Sequence, residues 1–305
     1  MLDFKRDTGF DIKLYRIAKL SDRELEKISK YWKSFYNEFT DYLFNKRNFY
    51  DNYVWVVFRV LKTFFNYLNK DCHLSIGEFH KSFHIPAEDI PIVVLSPDQL
   101  NRLIYDEELN KKIPDDLRRV KDVFVFGCTV ALRFSDLIKI SKENLHSFGG
   151  GTYLKVTSSK TSIHTSIKLP DYAIDLINKY SNNKRRTIFP VMTNAWLNKK
   201  LKDLAKNLDL KDEMPRYRSK RGKRQLIYKN SKKREHFTIG DHFTTHTMRR
   251  TAITNMLRLG VPEQIVRKIS GHTANSKDFF KYVEFAQSYL DEHTENYFKK
   301  MQQFV

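Results

Sequence analysis

Three prolines in the stretch IPAEDIPIVVLSPDQL (residues 85–100) constrain this chain more than any other feature. Proline locks φ and lacks a backbone donor, and it pushes the residue before it into extended backbone, so no helix can run through Pro86 and Pro91. The segment 86–95 therefore reads as a linker between domains 1–85 and 96–305, and 305 residues suit two domains. The third proline follows Ser96, which places it at the first position of a new helix.

The two sides of the linker differ in pattern. Before it, Leu25, Ile28, Trp32, Phe35, Phe39 and Leu43 recur at helical spacing, after Ser21 as N-cap with Asp22 and Glu24 in the first turn. A second helical run carries Val57, Val60, Leu61, Phe64, Phe65 and Leu68, with Arg59, Lys62 and Lys70 on its other face. After the linker, residues 117–132 form a helix that is buried at VFVFGCTVAL. The period then switches near Leu145: Gly149, Gly150 and Gly151 make a turn, and TYLKVTS (152–158) and SIHTSIKLP (162–170) read as a hairpin. Helical spacing returns from Tyr172 and again from Phe243. The expected fold class is mainly α with a small antiparallel β-sheet.

Composition narrows the function classes. Lys and Arg number 55 against 36 Asp and Glu, a formal charge of +19, which calls for a polyanion: nucleic acid first, an anionic membrane second. The run 215–236 concentrates this charge in Arg216, Arg218, Lys220, Arg221, Lys223 and Arg224, and reads as a basic loop or hairpin that grips a nucleic-acid backbone. No apolar run is long enough to span a membrane and the N-terminus has no apolar signal core. Two cysteines cannot build a disulfide framework, which suits a reducing cytoplasm. No metal is expected: His242 and His246 are four apart without the glutamate of HExxH, and Cys72, His73, His80 and His84 include no CxxC pair. There is no phosphate-binding loop of the GxxxxGK[ST] type either.

Five features carry chemistry. Arg133, in ALRFSDLIKI at the end of the buried helix, needs acceptors for five donors; an ion pair with Asp136 is the plainest. Lys160 sits in the turn SSKTS between the two strands. His246 and Arg249 are three apart on one helix face, followed by Arg250. Gly271-His272 follows the apolar stripe Val261, Ile265, Val266 and Ile269, and Tyr282 lies ten residues beyond His272.

Arginine, hairpin lysine, His-x-x-Arg, Gly-His and tyrosine, in this order, resemble the tyrosine recombinase (phage-type integrase) family, in particular mobile-element integrases of the Bacteroides group. The resemblance extends over the chain: YWKSFYNEFTDYLFNKRNFYDNYVWVVFRVLKTFFNYL is similar to the helical core-binding domain, and 96–305 to the mixed α/β catalytic domain with its C-terminal tail helix. Two positions depart from the usual pattern. The His272-to-Tyr282 spacing is one residue longer than the commonest version, with Tyr289 as the other candidate nucleophile, and Ser270 stands where leucine is usual, which reads as a packing difference. Lys155 and Lys168 compete weakly with Lys160.

The resemblance implies an integrase that cuts and rejoins DNA through a 3′-phosphotyrosine, with no metal, ATP or other cofactor. Tyr282 attacks phosphorus, Arg133 and Arg249 clamp the phosphoryl oxygens, and His272 donates to another of them. Lys160 protonates the leaving 5′-oxygen, His246 assists proton transfer, and Asp136 buttresses Arg133. Arg59, Lys62, Arg250 and the 215–236 cations hold double-stranded DNA within a clamp. The apolar face of the tail (Leu290, Tyr297, Phe298, Met301, Phe304) docks on a neighbouring protomer, giving a homotetramer on synapsed DNA, with accessory DNA-bending factors as possible partners and no membrane. A chromosome-dimer resolvase of the Xer type shares this chemistry. A type IB topoisomerase and a catalytically silent DNA-binding protein are the remaining readings. The expected location is the bacterial cytoplasm, at the nucleoid.

Overall fold

The computed structural model describes residues 1–88, 91–181, 185–208 and 210–301, with side chains 288–290, 292, 293, 296, 297 and 300 of the last helix left aside. In chain order come α1 (Leu2–Thr8), α2 (Asp22–Asp41), α3 (Asp51–Lys70), α4 (Pro97–Tyr105), α5 (Glu107–Lys112), α6 (Asp115–Val130) and α7 (Phe134–Leu137). The strands β1 (Leu145–Phe148), β2 (Gly151–Thr157) and β3 (His164–Lys168) follow, then α8 (Asp171–Tyr180) and α9 (Asn194–Lys206). The chain ends with β4 (Arg216–Lys220), β5 (Lys223–Ile227), α10 (Thr245–Arg258), α11 (Glu263–Ser270) and α12 (Lys277–Met301). They divide into two compact units, Met1–Ile90 with Pro215–His236, and Pro91–Met214 with Phe237–Val305. The fold is mainly helical with small antiparallel sheets, as expected from the pattern.

The first unit packs α2 and α3 around an aromatic core that includes Trp32, Phe35, Phe39, Phe58, Phe65 and Phe83. Ser21 opens α2 through a reciprocal capping box with Glu24, whose carboxylate accepts from the Ser21 amide at 2.8 Å. A π-helical turn, Tyr42–Lys46, follows α2, and its consecutive residues Tyr42, Leu43 and Phe44 all reach the core. Phe4 of α1 also enters this core, a contribution the sequence pattern does not announce.

The basic hairpin β4–β5 folds with this helical unit although its sequence lies within 96–305. The cause is an acidic seat. Asp51, at the start of α3 and 1% exposed, accepts from the amides of Arg221 and Gly222 at 2.7 and 2.9 Å. Both turn residues have positive φ (53° and 74°), as a tight two-residue hairpin turn requires. Arg221 pairs with Asp41 and lies over the Phe44 ring, Lys220 donates to Asn48 Oδ1 at 2.6 Å, and Arg218 stands 4.0 Å from the Glu88 carboxylate.

The second unit is built on α6, which buries Val120, Val123, Phe124, Phe126 and Cys128. Gly127 allows α10 to pack closely, since a Cβ there would lie 2.6 Å from Met248 Sδ. The sheet runs β1-β2-β3, antiparallel throughout, with Leu154 opposite Ile167 and both buried. β1, opposite the start of β2 across the glycine turn, is a strand beyond the expected hairpin. Ser96 caps α4 with Gln99, with Pro97 at its first position. Among the described residues no helix is long and apolar enough to cross a membrane.

Candidate active site

α6 ends at Ala131, whose left-handed φ of 55° turns the chain and leads it into Arg133. The Ala131 carbonyl accepts from Arg249 Nη1 at 2.9 Å. Arg249 comes from the second turn of α10 and is 3% exposed, so its guanidinium is a buried cation that needs acceptors. Its other terminal nitrogen, Nη2, stands 3.1 Å from His272 Nε2 and 3.3 Å from Nδ1. Burial, and then the like charge of Arg133, hold the Arg249 guanidinium well below its usual range, at about 10, while Tyr282 and Asp136 offset part of this.

Gly271 ends α11 in the left-handed region (φ 63°) and brings His272 back against the helix it follows. His272 packs on two rings of α12, Phe279 at 5.2 Å and Tyr282 at 6.1 Å between centroids. Desolvation, followed by the charges of Arg249, Arg133 and Arg267, pushes His272 down to about 3, so its ring is neutral. Tyr282 is 8% exposed within the small apolar cluster of Ala131, Ala252, Ile253, Val266 and Phe279. His246, in the first turn of α10, keeps an exposed edge. It too lies below its ordinary range, through desolvation first and then Arg250, Arg249 and Arg133, with Asp278 opposing.

Arg133 and Asp136 address the hairpin tip. Arg133 Nη1 donates to Ser158 Oγ at 3.0 Å, and Asp136, 4% exposed, accepts from the Ser159 amide at 3.2 Å. Both anchors lie within two residues of Lys160, which is exposed at the tip. The rival lysines are separated from this place. Lys155 lies 5.3 Å over the Phe148 ring, and Lys168 pairs with Tyr153 across the sheet beside Gly151. The side chain of Tyr289 lies outside the described residues.

The second unit thus brings Arg249, His272 and Tyr282 together below the surface, with Arg133 held on the β2–β3 tip that carries the exposed Lys160, and His246 exposed at the start of α10. Arg59 is exposed on α3 against Trp55, and Lys62 reaches the Lys81 carbonyl at 3.4 Å. Arg218, Lys220 and Arg221 are engaged with Glu88, Asn48 and Asp41 of their own unit. Arg224 stacks on Tyr217 at 3.8 Å, Arg216 is half-buried and Lys223 is exposed. Among the described residues no three His, Cys, Asp or Glu side chains gather in a way that could hold a metal. His80 is buried with Nε2 on Asn66 Oδ1 at 2.8 Å.

Sequence reasoning did not single out Ser158 or the Ala131 carbonyl, and it read Ser270 as packing. Ser270 Oγ stands 2.8 Å from His272 Nδ1. A serine beside a Gly-His turn was the available signal, but only the turn geometry brings its hydroxyl onto the ring.

The site can hold an anion. Among the described residues, two guanidiniums share it with the buried carboxylate of Asp136, which is turned to the hairpin. Such a place gains from a ligand with negative oxygens, and a phenol stands beside it.

Comparison with known proteins agrees with this chemistry. The model of the Phage integrase family matches residues 94–287. No curated protein matches the sequence. Among solved structures, a lambda integrase dimer bound to a COC′ core site is 11% identical, covering 92% of this chain and 85% of that one with a TM-score of 0.56. The Tn1549 transposon integrase in complex with transposon right end DNA is 14% identical, with coverages of 92% and 84% and a TM-score of 0.56. A lambda integrase tetramer bound to a Holliday junction is 14% identical, with coverages of 82% and 65% and a TM-score of 0.51. At such identities the likeness is one of fold.

Proposed function

The chain belongs to the phage integrase family, and we propose that it is a site-specific DNA recombinase that integrates or excises a mobile element. One observation supports the assignment of the site: Arg249 meets His272 beside the Tyr282 ring, with the charge of Arg133 close enough to act on both Arg249 and His272. The reaction is an exchange of phosphodiesters. The Tyr282 oxygen attacks phosphorus, the 5′-oxygen leaves, and a 3′-phosphotyrosine holds the bond energy until a 5′-hydroxyl of the partner strand reverses the step.

Negative charge grows on the non-bridging oxygens in the transition state. Arg249, fixed by the Ala131 carbonyl, and Arg133, fixed by Ser158, offer planar donors to them without having to be ordered first. The phosphate replaces His272 as partner of Arg249 Nη2. Its charge also lifts the imidazole from its depressed range, so His272 can donate. Lys160, on a tip anchored by Asp136, gives the proton to the departing 5′-oxygen, and His246 at the rim moves protons for the phenol.

Double-stranded DNA is the partner, as it is in the neighbouring complexes with core-site and transposon-end DNA. The helical unit acts as the core-binding domain and the second unit as the catalytic domain. Assembly is a tetramer on synapsed DNA, as in the junction complex of lambda integrase, with the α12 tail docking between protomers. Phe298 and Met301 of that tail are exposed, whereas the side chains of Leu290 and Tyr297, and residue Phe304, lie outside the described residues. The protein works at the nucleoid, in the cytoplasm.

The test is covalent trapping on a pool of nicked duplexes of randomised sequence. Wild-type protein forms a denaturant-resistant adduct whose DNA reveals the site, and Tyr282→Phe forms none. An adduct that persists in Tyr282→Phe moves the role to another tyrosine. Relaxation of supercoiled plasmids of any sequence favours a topoisomerase instead.

A further inference from the structure

The residue before Gly271 makes a contact that its packing does not require. Ser270 closes α11 and is 2% exposed. Its Oγ lies 2.7 Å from the Val266 carbonyl, one helical turn back, and 2.8 Å from His272 Nδ1. The left-handed Gly271 between them makes this possible, because it folds residue 272 over the last turn of the helix.

The ends of this chain of hydrogen bonds fix its direction. A carbonyl can only accept, so in the bond to Val266, the shorter of the two at 2.7 Å, Ser270 spends its single hydroxyl proton. The same oxygen is then left to accept from the ring, which places a hydrogen on Nδ1. At the other end a guanidinium can only donate, so Arg249 Nη2, 3.1 Å from Nε2, meets a bare nitrogen there. The Nδ1–H tautomer serves the shorter contact on each side, Ser270 at 2.8 Å and Arg249 at 3.1 Å; the approach of Arg249 Nη2 to Nδ1 itself is longer, at 3.3 Å. Around the ring stand the cations Arg249 on α10, Arg133 before α7 and Arg267 on α11, and the Phe279 and Tyr282 rings of α12.

We propose that Ser270 is a positioning residue that fixes the ring orientation and the Nδ1–H tautomer of His272. Nε2 is thereby the nitrogen kept for the reacting phosphate. This rests on the reading of His272 as a phosphate ligand. Leucine at the same place offers no acceptor, so the device belongs to this chain's serine.

The test pairs a spectrum with a rate. In ¹⁵N-labelled protein without DNA, two-bond ¹H–¹⁵N correlations of the imidazoles distinguish the tautomers, and the His272 signal is assigned by its loss in His272→Gln. Wild type shows a protonated Nδ1 and a bare Nε2. Ser270→Ala, which shortens a helix-end residue by one atom, shifts the signal toward Nε2–H or a mixture. Single-turnover adduct formation on the trapped duplex falls about 3- to 10-fold in Ser270→Ala, the factor one neutral hydrogen bond is worth. Ser270→Thr, which keeps the hydroxyl, restores both. An unchanged spectrum in Ser270→Ala overturns the proposal, and so does a changed spectrum with an unchanged rate. If wild type forms no adduct on any duplex while the spectrum still shifts, the recombinase reading fails and the tautomer assignment stands.

Discussion

The hairpins β2–β3 and β4–β5 both present basic tips, and in both a buried aspartate accepts backbone amides of the turn. Asp136 holds Ser159 at 3.2 Å, and Asp51 holds Arg221 and Gly222 at 2.7 and 2.9 Å. They differ in what becomes of the cations. Lys160 stays exposed, beside residues that also anchor Arg133. Lys220 and Arg221 are taken up by Asn48 and Asp41, and Arg218 faces Glu88. On the proposed chemistry one tip delivers a charge to a reacting centre, whereas the other fastens a segment of chain to a helical unit. Local charge does not distinguish the two; the acids that meet it do.

The largest effect that separates them is on rate. Lys160→Ala should slow adduct formation by about 10²- to 10⁴-fold, the usual worth of a positioned general acid. DNA binding by gel shift should be unchanged. Arg221→Ala should leave the rate per bound protein within a few-fold of wild type. If Lys160→Ala reacts at the normal rate, or Arg221→Ala reproduces its defect, the division of labour is wrong.

The two aspartates sharpen the contrast at the next level. Asp51→Ala strands two turn amides that a carboxylate satisfied, and should destabilise the protein by about 1.5–3 kcal/mol in urea unfolding. It should also make the Lys220–Arg224 bonds susceptible to brief trypsin digestion. Asp136→Ala releases only one amide, so its mark should be kinetic, an adduct rate lowered about tenfold as the Lys160 tip loosens. A large stability loss without a rate change in Asp136→Ala would assign both aspartates to the same structural job.

The parts of the molecule that were legible in the sequence share one property: the determinant is local. Ser21, Ser96 and Pro97 mark helix starts because capping is settled within four residues. The alternation in 152–168 reveals β2 and β3 because side-chain period is a property of one strand. The proposed site residues rest on short motifs too, but their roles came from the order in which those motifs resemble a family. Contacts over long separations were not legible. Phe4 joins a core formed by residues 32–85, and the 215–236 run finds its seat on Asp51, 170 positions away. The sequence shows ten cations there and suggests a nucleic acid, because the acids that meet some of them lie on distant helices. Ser270 is a smaller case. Its neighbour His272 is only two residues on, yet a helix end followed by a left-handed glycine had to be known before the hydroxyl could be placed on the ring.

The smallest expected effect is within the second hairpin itself. Lys223 is exposed, whereas Lys220, its partner three residues back across the turn, is half-buried and bonded to Asn48. If the hairpin also touches DNA, Lys223 is the position able to do so without giving up a protein partner. An exposed lysine on a phosphate contributes through counterion release, so its loss should reduce the slope of log affinity against log salt by about 1. Lys223→Ala should therefore weaken binding slightly and equally on all sequences, with no change in adduct rate at saturating DNA. Lys220→Ala should leave the slope unchanged and lower stability instead. Equal slopes for wild type and Lys223→Ala would restrict this hairpin to holding the helical unit. A reduced slope in both variants would mean that the Asn48 contact yields to DNA, and that docking and binding compete for the same lysine.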